Sequence, residues 1–324
     1  MDPLVGFLDG PRARAAFLVK VVMDAPWSMR IEDEAPLAVV AVTHGSAWLV
    51  HPSGEPRVLA AGDIAVIRGP DHYVVAHDPA AIPTIVVDAG GNCQTLDGES
   101  VVQSMNLGVR TWGNRADGRD VMLVGTYQTD GEVSRWLVES LPAIVVVRAA
   151  EWDSPIVPLL AAEIAREDPG QQVVLDRVLD LLLVNALRAA FTARTVDVPR
   201  WFSANADPIV GPVIRLMQDE PAAPWTVASL ASSAGVSRAL LARRFHELTG
   251  EPPMTFLTSW RMALAADLIV EREATVTSVA RTVGYGSPFT FSTAFKRIYG
   301  VSPKAYRDRA AGAALTSAAS EASR

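Results

Sequence analysis

Between Trp225 and Tyr306 the chain carries the same punctuation twice. The first copy reads Ala231, Gly235, Ser237, Phe245, Gly250, Pro253, Phe256, and the second Ala280, Gly284, Ser287, Phe295, Gly300, Pro303, Tyr306. The steps between successive members are 4, 2, 8, 5, 3, 3 and 4, 3, 8, 5, 3, 3. Self-similarity at a spacing of about fifty residues marks one supersecondary unit used twice. In the first copy Thr226 caps a short helix through Val227, Leu230 and Ala231, and Gly235 turns the chain. Ser237 then caps a helix with Leu240, Leu241, Phe245 and Leu248 at helical spacing. Arg238, Arg243 and Arg244 occupy the rest of its surface. The unit is a helix, a tight turn and a second helix. The second copy repeats it with Val276, Val279, Ala280 and Val283, a turn at Gly284 to Gly286, Ser287 as N-cap and Pro288 at the first helical position. Its expected buried stripe is Phe291, Phe295 and Ile298, with Lys296 and Arg297 outside.

Two such units joined by one long helix, about Met254 to Val270, resemble the DNA-binding domain of the AraC/XylS family of transcription regulators. The resemblance covers residues 208–310. It rests on "VARTVGYGSPFTFSTAFKRIYGVSPKAYR", preceded by "PWTVASLASSAGVSRALLARRFHELTGEPPMTFLTSWRMALAADLI". It implies that the second helix of each unit enters the major groove of double-stranded DNA, the two held about 34 Å, one turn of DNA, apart. Base contacts would come from Ala239, Ala242 and Arg243 beside Arg238, with Arg243 the candidate for bidentate recognition of guanine. The corresponding positions in the second unit are Pro288, Phe289, Ser292 and Thr293. Thr293 stands where the family often has Arg, so this unit is expected to touch thymine methyls or to position phosphates. Arg244, Lys296, Arg297, Lys304 and the amides at Ser237 and Ser287 are phosphate candidates. Trp225, Trp260, Leu230, Leu241, Phe245, Phe256, Phe291, Phe295 and Tyr306 read as core, and Tyr285 either packs at the turn or reaches a phosphate.

The net charge of −7 argues against a nucleic-acid partner until it is divided. Residues 208–310 hold 12 Lys and Arg against 8 Asp and Glu, an excess of +4, and the remainder holds 17 against 28, or −11. Positive charge is concentrated where phosphates would be neutralised. At 324 residues the chain exceeds one core, so two domains are expected. The longest apolar stretch, Val178 to Phe191, is broken by Asp180, Asn185 and Arg188, so no membrane span is expected. The N-terminus lacks a secretory pattern, and one cysteine excludes a disulfide framework. The expected location is cytoplasmic.

Residues 1–150 read as β-rich after a short helix from Pro11 to Lys20. The β-branched runs "PLAVVAVTHG", "SAWLVHP", "PRVLAAGDIAVIRG", "HYVVAHD" and "PTIVVDAG", separated by Gly, Pro and Asp turns, predict a barrel or jelly roll. With Gly45, Glu55, Gly62 and Asp63 at the expected turns and "RGPDHYVVAHDP" following, this part resembles the cupin-type sensor domain of one AraC branch. Enzymatic cupins hold a metal with a His-x-His pair, a Glu and a later His. Here His51 is followed two residues on by Ser53, and Tyr73 stands where the later His would fall. His44, His51, His72, His77, Glu55 and Cys93 are the available ligands, set against the reading that they are ordinary turn and strand-end residues. Cys93, in "AGGNCQ", is a redox candidate in an exposed turn if a cation lowers its pKa, and an inert turn cysteine otherwise. A small organic effector inside the barrel would meet Trp48, Val66, Val86 and Met122, residues that a closed core would also contain.

Residues 151–207 read as two helices parted by Asp168, Pro169 and Gly170. The second, from Val173 to Arg194, sets Val174, Val178, Leu181, Leu182, Asn185 and Leu187 on a surface wider than one neighbour covers. It is expected to form a homodimer, the alternative being that it packs on its own barrel. Thr195 to Asp207 reads as a linker, ending with Asp207 as N-cap and Pro208 at N1 of the next helix. Residues 311–324 read as a disordered tail. The fold class is α+β: a cupin-like barrel, a helical segment and an all-α domain with two helix-turn-helix units. The expected function is a sequence-specific DNA-binding regulator sensing an effector or redox signal, requiring neither cofactor nor metal. The alternative is a metal-dependent cupin enzyme fused to a DNA-binding domain.

Overall fold

The computed structural model describes residues 18–89, 91–127, 132–152, 154–193, 200–270 and 274–310. They fall into two compact units, one drawn from the described residues of 18–127 and 137–193, the other from those of 132–136 and 200–310.

The first unit is a two-sheet barrel. Its strands are β1 (Leu18–Met23), β2 (Ser28–Ile31), β3 (Leu37–His44), β4 (Ser46–Val50), β5 (Arg57–Ala60), β6 (Ile64–Arg68), β7 (Tyr73–Ala76), β8 (Ile85–Val87), β9 (Cys93–Thr95), β10 (Asn106–Gly108), β11 (Thr111–Gly113), β12 (Asp120–Tyr127) and β13 (Ile144–Val147). One sheet has the order β10-β11-β1-β12-β3-β6-β13 and the other β5-β4-β7-β2-β8-β9. Between them lies a core that includes Met23, Trp27, Met29, Val40, Leu49, Leu59, Tyr73 and Met122. Helix α1 (Glu132–Ser140) connects β12 to β13, and α2 (Ile156–Glu163) and α3 (Gln171–Ala193) follow.

Strand β3 is apolar on both faces because both are covered. Ala38, Val40 and Val42 face the barrel core, while Leu37, Val39 and Ala41 are buried on the other side, the side on which α2 packs. Helix α3 lies on the same sheet, so its buried stripe, with Val178, Leu182 and Leu187, covers its own barrel. The approach is close: Tyr127 Oη donates to Leu179 O at 2.6 Å, and a Cβ at Gly125 would come within 2.8 Å of the Leu179 side chain. Val173, Val174 and Leu181 on the opposite face of α3 stay exposed.

Several expectations change. Residues 18–20, read as the end of a helix, belong to β1, whose pairing with β12 runs from Leu18–Gly125 to Met23–Asp120. Long-range pairing overrides local helix preference there, and residues 11–17 lie outside the described ones. Of the four residues expected inside the barrel only Met122 is there. On β4, β6 and β8 the inward residues are Ala47 and Leu49, Ala65 and Ile67, and Ile85, which turns Trp48, Val66 and Val86 to the other face.

The second unit is all-helical: α4 (Arg200–Ala206), α5 (Val210–Asp219), α6 (Val227–Ser233), α7 (Arg238–Thr249), α8 (Pro253–Val270), α9 (Val276–Thr282) and α10 (Pro288–Tyr299), with residues 303–310 also helical. Residues 200–206, read as linker, are thus a helix, and Ala204 is fully buried in the unit's core. Pro208 lies in the turn before α5 rather than at its N1 position. The unit has two apolar cores, one built on α5 to α7 and one on α9 and α10. Helix α8 closes both, giving Phe256 and Leu257 to the first and Met262, Ala265, Ala266 and Ile269 to the second.

Candidate nucleic-acid interface

The sequence repeat is a repeat of contacts. The Thr226 and Thr275 hydroxyl oxygens each accept from the N–H three residues on, at 3.0 Å, and the backbone N–H of each threonine donates in return to Oγ of Ser229 and of Ser278, at 2.9 Å. Ser237 and Ser287 cap α7 and α10 by accepting from Leu240 N and Thr290 N, both at 3.2 Å, and Pro288 occupies N1 of α10 as expected. Gly250 and Gly300 close these helices in the left-handed conformation, at φ of 86° and 73°. Phe245 meets Phe256 edge-on at 5.6 Å and 74°, and Phe295 meets Tyr306 edge-on at 5.5 Å and 84°. These paired rings lock each second helix onto the next one, an arrangement worth about 1 kcal/mol beyond the area buried.

Locking one face of each helix leaves the other free. On α7, Arg238, Ala239 and Arg243 are exposed and Ala242 is half-buried. The Arg243 side chain is 71 % exposed, with Nε 3.8 Å from Glu247 Oε1, an ion pair too long to be a hydrogen bond. Arg244 differs. Its Nε and Nη2 donate to Asp207 Oδ2 at 3.0 and 2.8 Å, while Asp207 Oδ1 accepts from Ile209 N and Val210 N at 2.9 Å each. The Asp207 side chain is 5 % exposed. Burial pushes its carboxyl up, but the bonds from Val210, Ile209 and Arg244 outweigh burial and hold it below the usual carboxylate range.

On α10, Pro288, Phe289 and Thr293 are exposed and Ser287 and Ser292 half-buried. Lys296, Arg297 and Lys304 are exposed, and so is Ile298, which was expected in the stripe. The turn of helix takes Phe291 and Phe295 fully into the core and carries the next apolar residue past its edge. Tyr285 packs edge-on against Phe291 at 5.7 Å, and burial raises its pKa.

Sequence reasoning missed two positioning residues. Asp207 was visible as a cap, but its pairing with Arg244, 37 positions away, is tertiary. Arg261 was not singled out; its Nε and Nη2 donate to the carbonyls of Pro221 and Ala223 at 2.6 and 2.8 Å, tying α8 to the loop before α6.

In the first unit the candidate ligands do not converge. Among the described residues no three His, Cys, Asp or Glu side chains form a group able to hold a metal ion. His51 Nδ1 and Ser53 Oγ are 2.7 Å apart, His77 Nδ1 sits 2.7 Å from Trp27 O, and His72 lies 3.8 Å from Glu32. Cys93 is in β9 rather than an exposed turn, packed against the barrel core. Burial, and then Asp88, pushes its thiol up to about 11. Among the described residues no helix is long and apolar enough to cross a membrane.

A cupin family profile matches residues 2–192, and a helix-turn-helix domain profile matches residues 230–309. An AraC-like transcription regulator of Streptomyces lividans is 32% identical over 95% of this chain and 98% of its own length. The chain belongs to the AraC family of transcription regulators. A second AraC-like regulator, from Streptomyces antibioticus, is 30% identical over 95% of this chain and 98% of its own length. The crystal structure of the DNA-binding domain of AdpA in complex with a target DNA matches 32% of this chain and 93% of that one at 33% identity, with a TM-score of 0.31. This AraC-family chain is accordingly a DNA-binding transcription regulator, α+β in class, with a cupin N-terminal part and a helix-turn-helix C-terminal part.

Proposed function

We propose that this regulator reads its operator with α7 and α10 in the major groove. Arg238, Ala239, Ala242 and Arg243 make the first contact set, and Ser287, Pro288, Phe289, Ser292 and Thr293 the second, while Lys296 and Arg297 neutralise phosphates. The observation that carries the reading is Arg243, a largely exposed guanidinium on the outer face of a helix capped at both ends, with only a long ion pair to Glu247 to displace. It can fork onto N7 and O6 of guanine. We assign Arg244 a different task from the other cations, since its guanidinium is already forked onto Asp207: it clamps α7 to the start of α5 and sets the angle of the reading helix.

The chain works in the cytoplasm as a homodimer, without catalysing a reaction. The exposed Val174 and Leu181 on α3 supply the dimer face. The signal is a small effector taken into the barrel. There Trp112 Nε1, on the face shared with Val21 of the barrel core, is a buried donor with no partner among the described residues. An effector combining apolar bulk with one acceptor satisfies that site. A redox signal at Cys93 is disfavoured because its thiol is held protonated.

The test is differential binding. Arg243→Ala should weaken the operator by about 1 to 3 kcal/mol relative to random DNA. Lys296→Ala should weaken both equally and lower the salt slope by about one. Unchanged operator preference in Arg243→Ala would remove α7 from base reading.

A further inference from the structure

We propose that the second unit reads methyl groups: the exposed ring of Phe289, with Thr293 beside it, packs on the 5-methyl of thymine, and equally on that of 5-methylcytosine. The inference rests on α10 facing DNA. It commits that helix to one kind of contact.

Phe289 is 82 % exposed, whereas Phe291 and Phe295 of the same helix are fully buried. The hydroxyls around it are already committed. Thr290 Oγ1 donates to Ser287 O at 3.0 Å, Ser292 Oγ to Pro288 O at 2.7 Å and Thr293 Oγ1 to Phe289 O at 3.0 Å. Ser287 Oγ caps the helix at 3.2 Å from Thr290 N, and Pro288 brings no N–H. Base edges in the major groove present acceptors and amino donors that need polar partners, but the thymine methyl asks only for an apolar surface. With their protons turned onto helix carbonyls, the Thr290, Ser292 and Thr293 hydroxyls have no proton left for the acceptors of a base edge and keep only lone pairs for an amino donor, while the Phe289 ring supplies the apolar surface that the thymine methyl asks for. Its surroundings select nucleic acid as the occupant. Over residues 274–310 Arg281, Lys296, Arg297, Lys304, Arg307 and Arg309 stand against Asp308 alone, a charge balance suited to phosphates. The equivalent of Phe289 in the first unit is Ala239, with Arg243 one turn on, so the two helices use different chemistry on the same frame.

The test is carried out on the DNA. In a footprinted operator each thymine of the box under α10 is replaced in turn by deoxyuridine, which keeps base pairing and removes only the methyl. Affinity of the full-length chain should fall about fourfold at one or two positions, the loss for one buried methyl. Replacing such a thymine by 5-methylcytosine, with guanine opposite, should bind about fourfold more tightly than cytosine there. Phe289→Ala should bind thymine and uracil operators alike while still preferring the operator over random DNA through the first unit. Full affinity at every uracil position, with operator preference intact, would overturn the methyl contact and leave the DNA reading standing. Loss of transcriptional activation in Phe289→Ala with operator affinity and uracil penalty unchanged would assign the ring to a protein partner and overturn it too. Absence of operator preference in the wild type would overturn both.

Discussion

Gly235 and Gly284 hold the same place in the two units, yet replacing each by alanine should have unequal effects. Both sit at positive φ, +67° and +81°, where an L side chain costs about 1 kcal/mol. At Gly235 a Cβ would meet no heavy atom within 4 Å, so Gly235→Ala should cost that strain alone. At Gly284 it would lie 2.8 Å from Ala222 Cα and 2.9 Å from both Ala222 O and Arg261 Nη2. Those atoms cannot easily retreat, because the Arg261 guanidinium is held by the carbonyls of Pro221 and Ala223 on either side of Ala222. Overpacking against backbone adds about 2 kcal/mol, so Gly284→Ala should lose about 3 kcal/mol in all. The measurement is urea denaturation of the full chain, with hydrogen exchange followed separately in α7 and α10. Gly284→Ala should strip protection from α10 first, and Gly235→Ala should leave both helices largely protected. Equal losses at the two sites would refute the role given to the loop at residues 221–223.

Asp207→Asn should destabilise the second unit by about 1 to 2 kcal/mol, read as a drop in the denaturation midpoint, since it weakens a cap and a forked ion pair. Because the Asp207 carboxyl is held below its unfolded value of about 4, its contribution is complete above that pH and fades as pH falls through the folded value. Wild type and variant stability should therefore converge as pH falls below the folded value. Leu181→Lys on the exposed face of α3 should turn a dimer into a monomer in sedimentation with folding intact; an unchanged dimer would place the interface elsewhere. Cys93 should react slowly with iodoacetamide at pH 7 and faster as pH approaches about 11, and peroxide should leave operator binding unaltered. Rapid labelling at pH 7 would contradict the burial of the thiol.

The helix-turn-helix unit was legible in the sequence because its determinants are local. Ser237, Ser287, Gly250 and Gly300 act within one turn of where they stand, and Phe245 and Phe295 repeat at a fixed distance from them. The barrel was legible as a class but not face by face. Trp48, Val66 and Val86 carry the same apolar signal as Leu49, Ile67 and Ile85 beside them, and a shift of one residue decides which side is filled. Strands β9 to β11 have three residues each and too little periodicity to announce themselves. The exposed side of each helix was legible residue by residue, but the separation of Arg244 from Arg243 was not. Both are arginines on one helix, and only the folded position of Asp207 tells them apart.

Helix α8 is shared by both apolar cores, and this limits how such a protein can change its target. One residue inserted into an α-helix turns everything beyond it by about 100° and advances it about 1.5 Å. An insertion in α8 would therefore drag Met262, Ala265, Ala266 and Ile269 out of register with α10 and turn α10 relative to α7. If α7 and α10 each read one box as proposed, the length of this rod and the spacing of the two boxes are tied together. On the proposed reading, new specificity would come from exchanging side chains such as Arg243 and Phe289 on a fixed gauge, and the distance between boxes would stay constant while their letters drift.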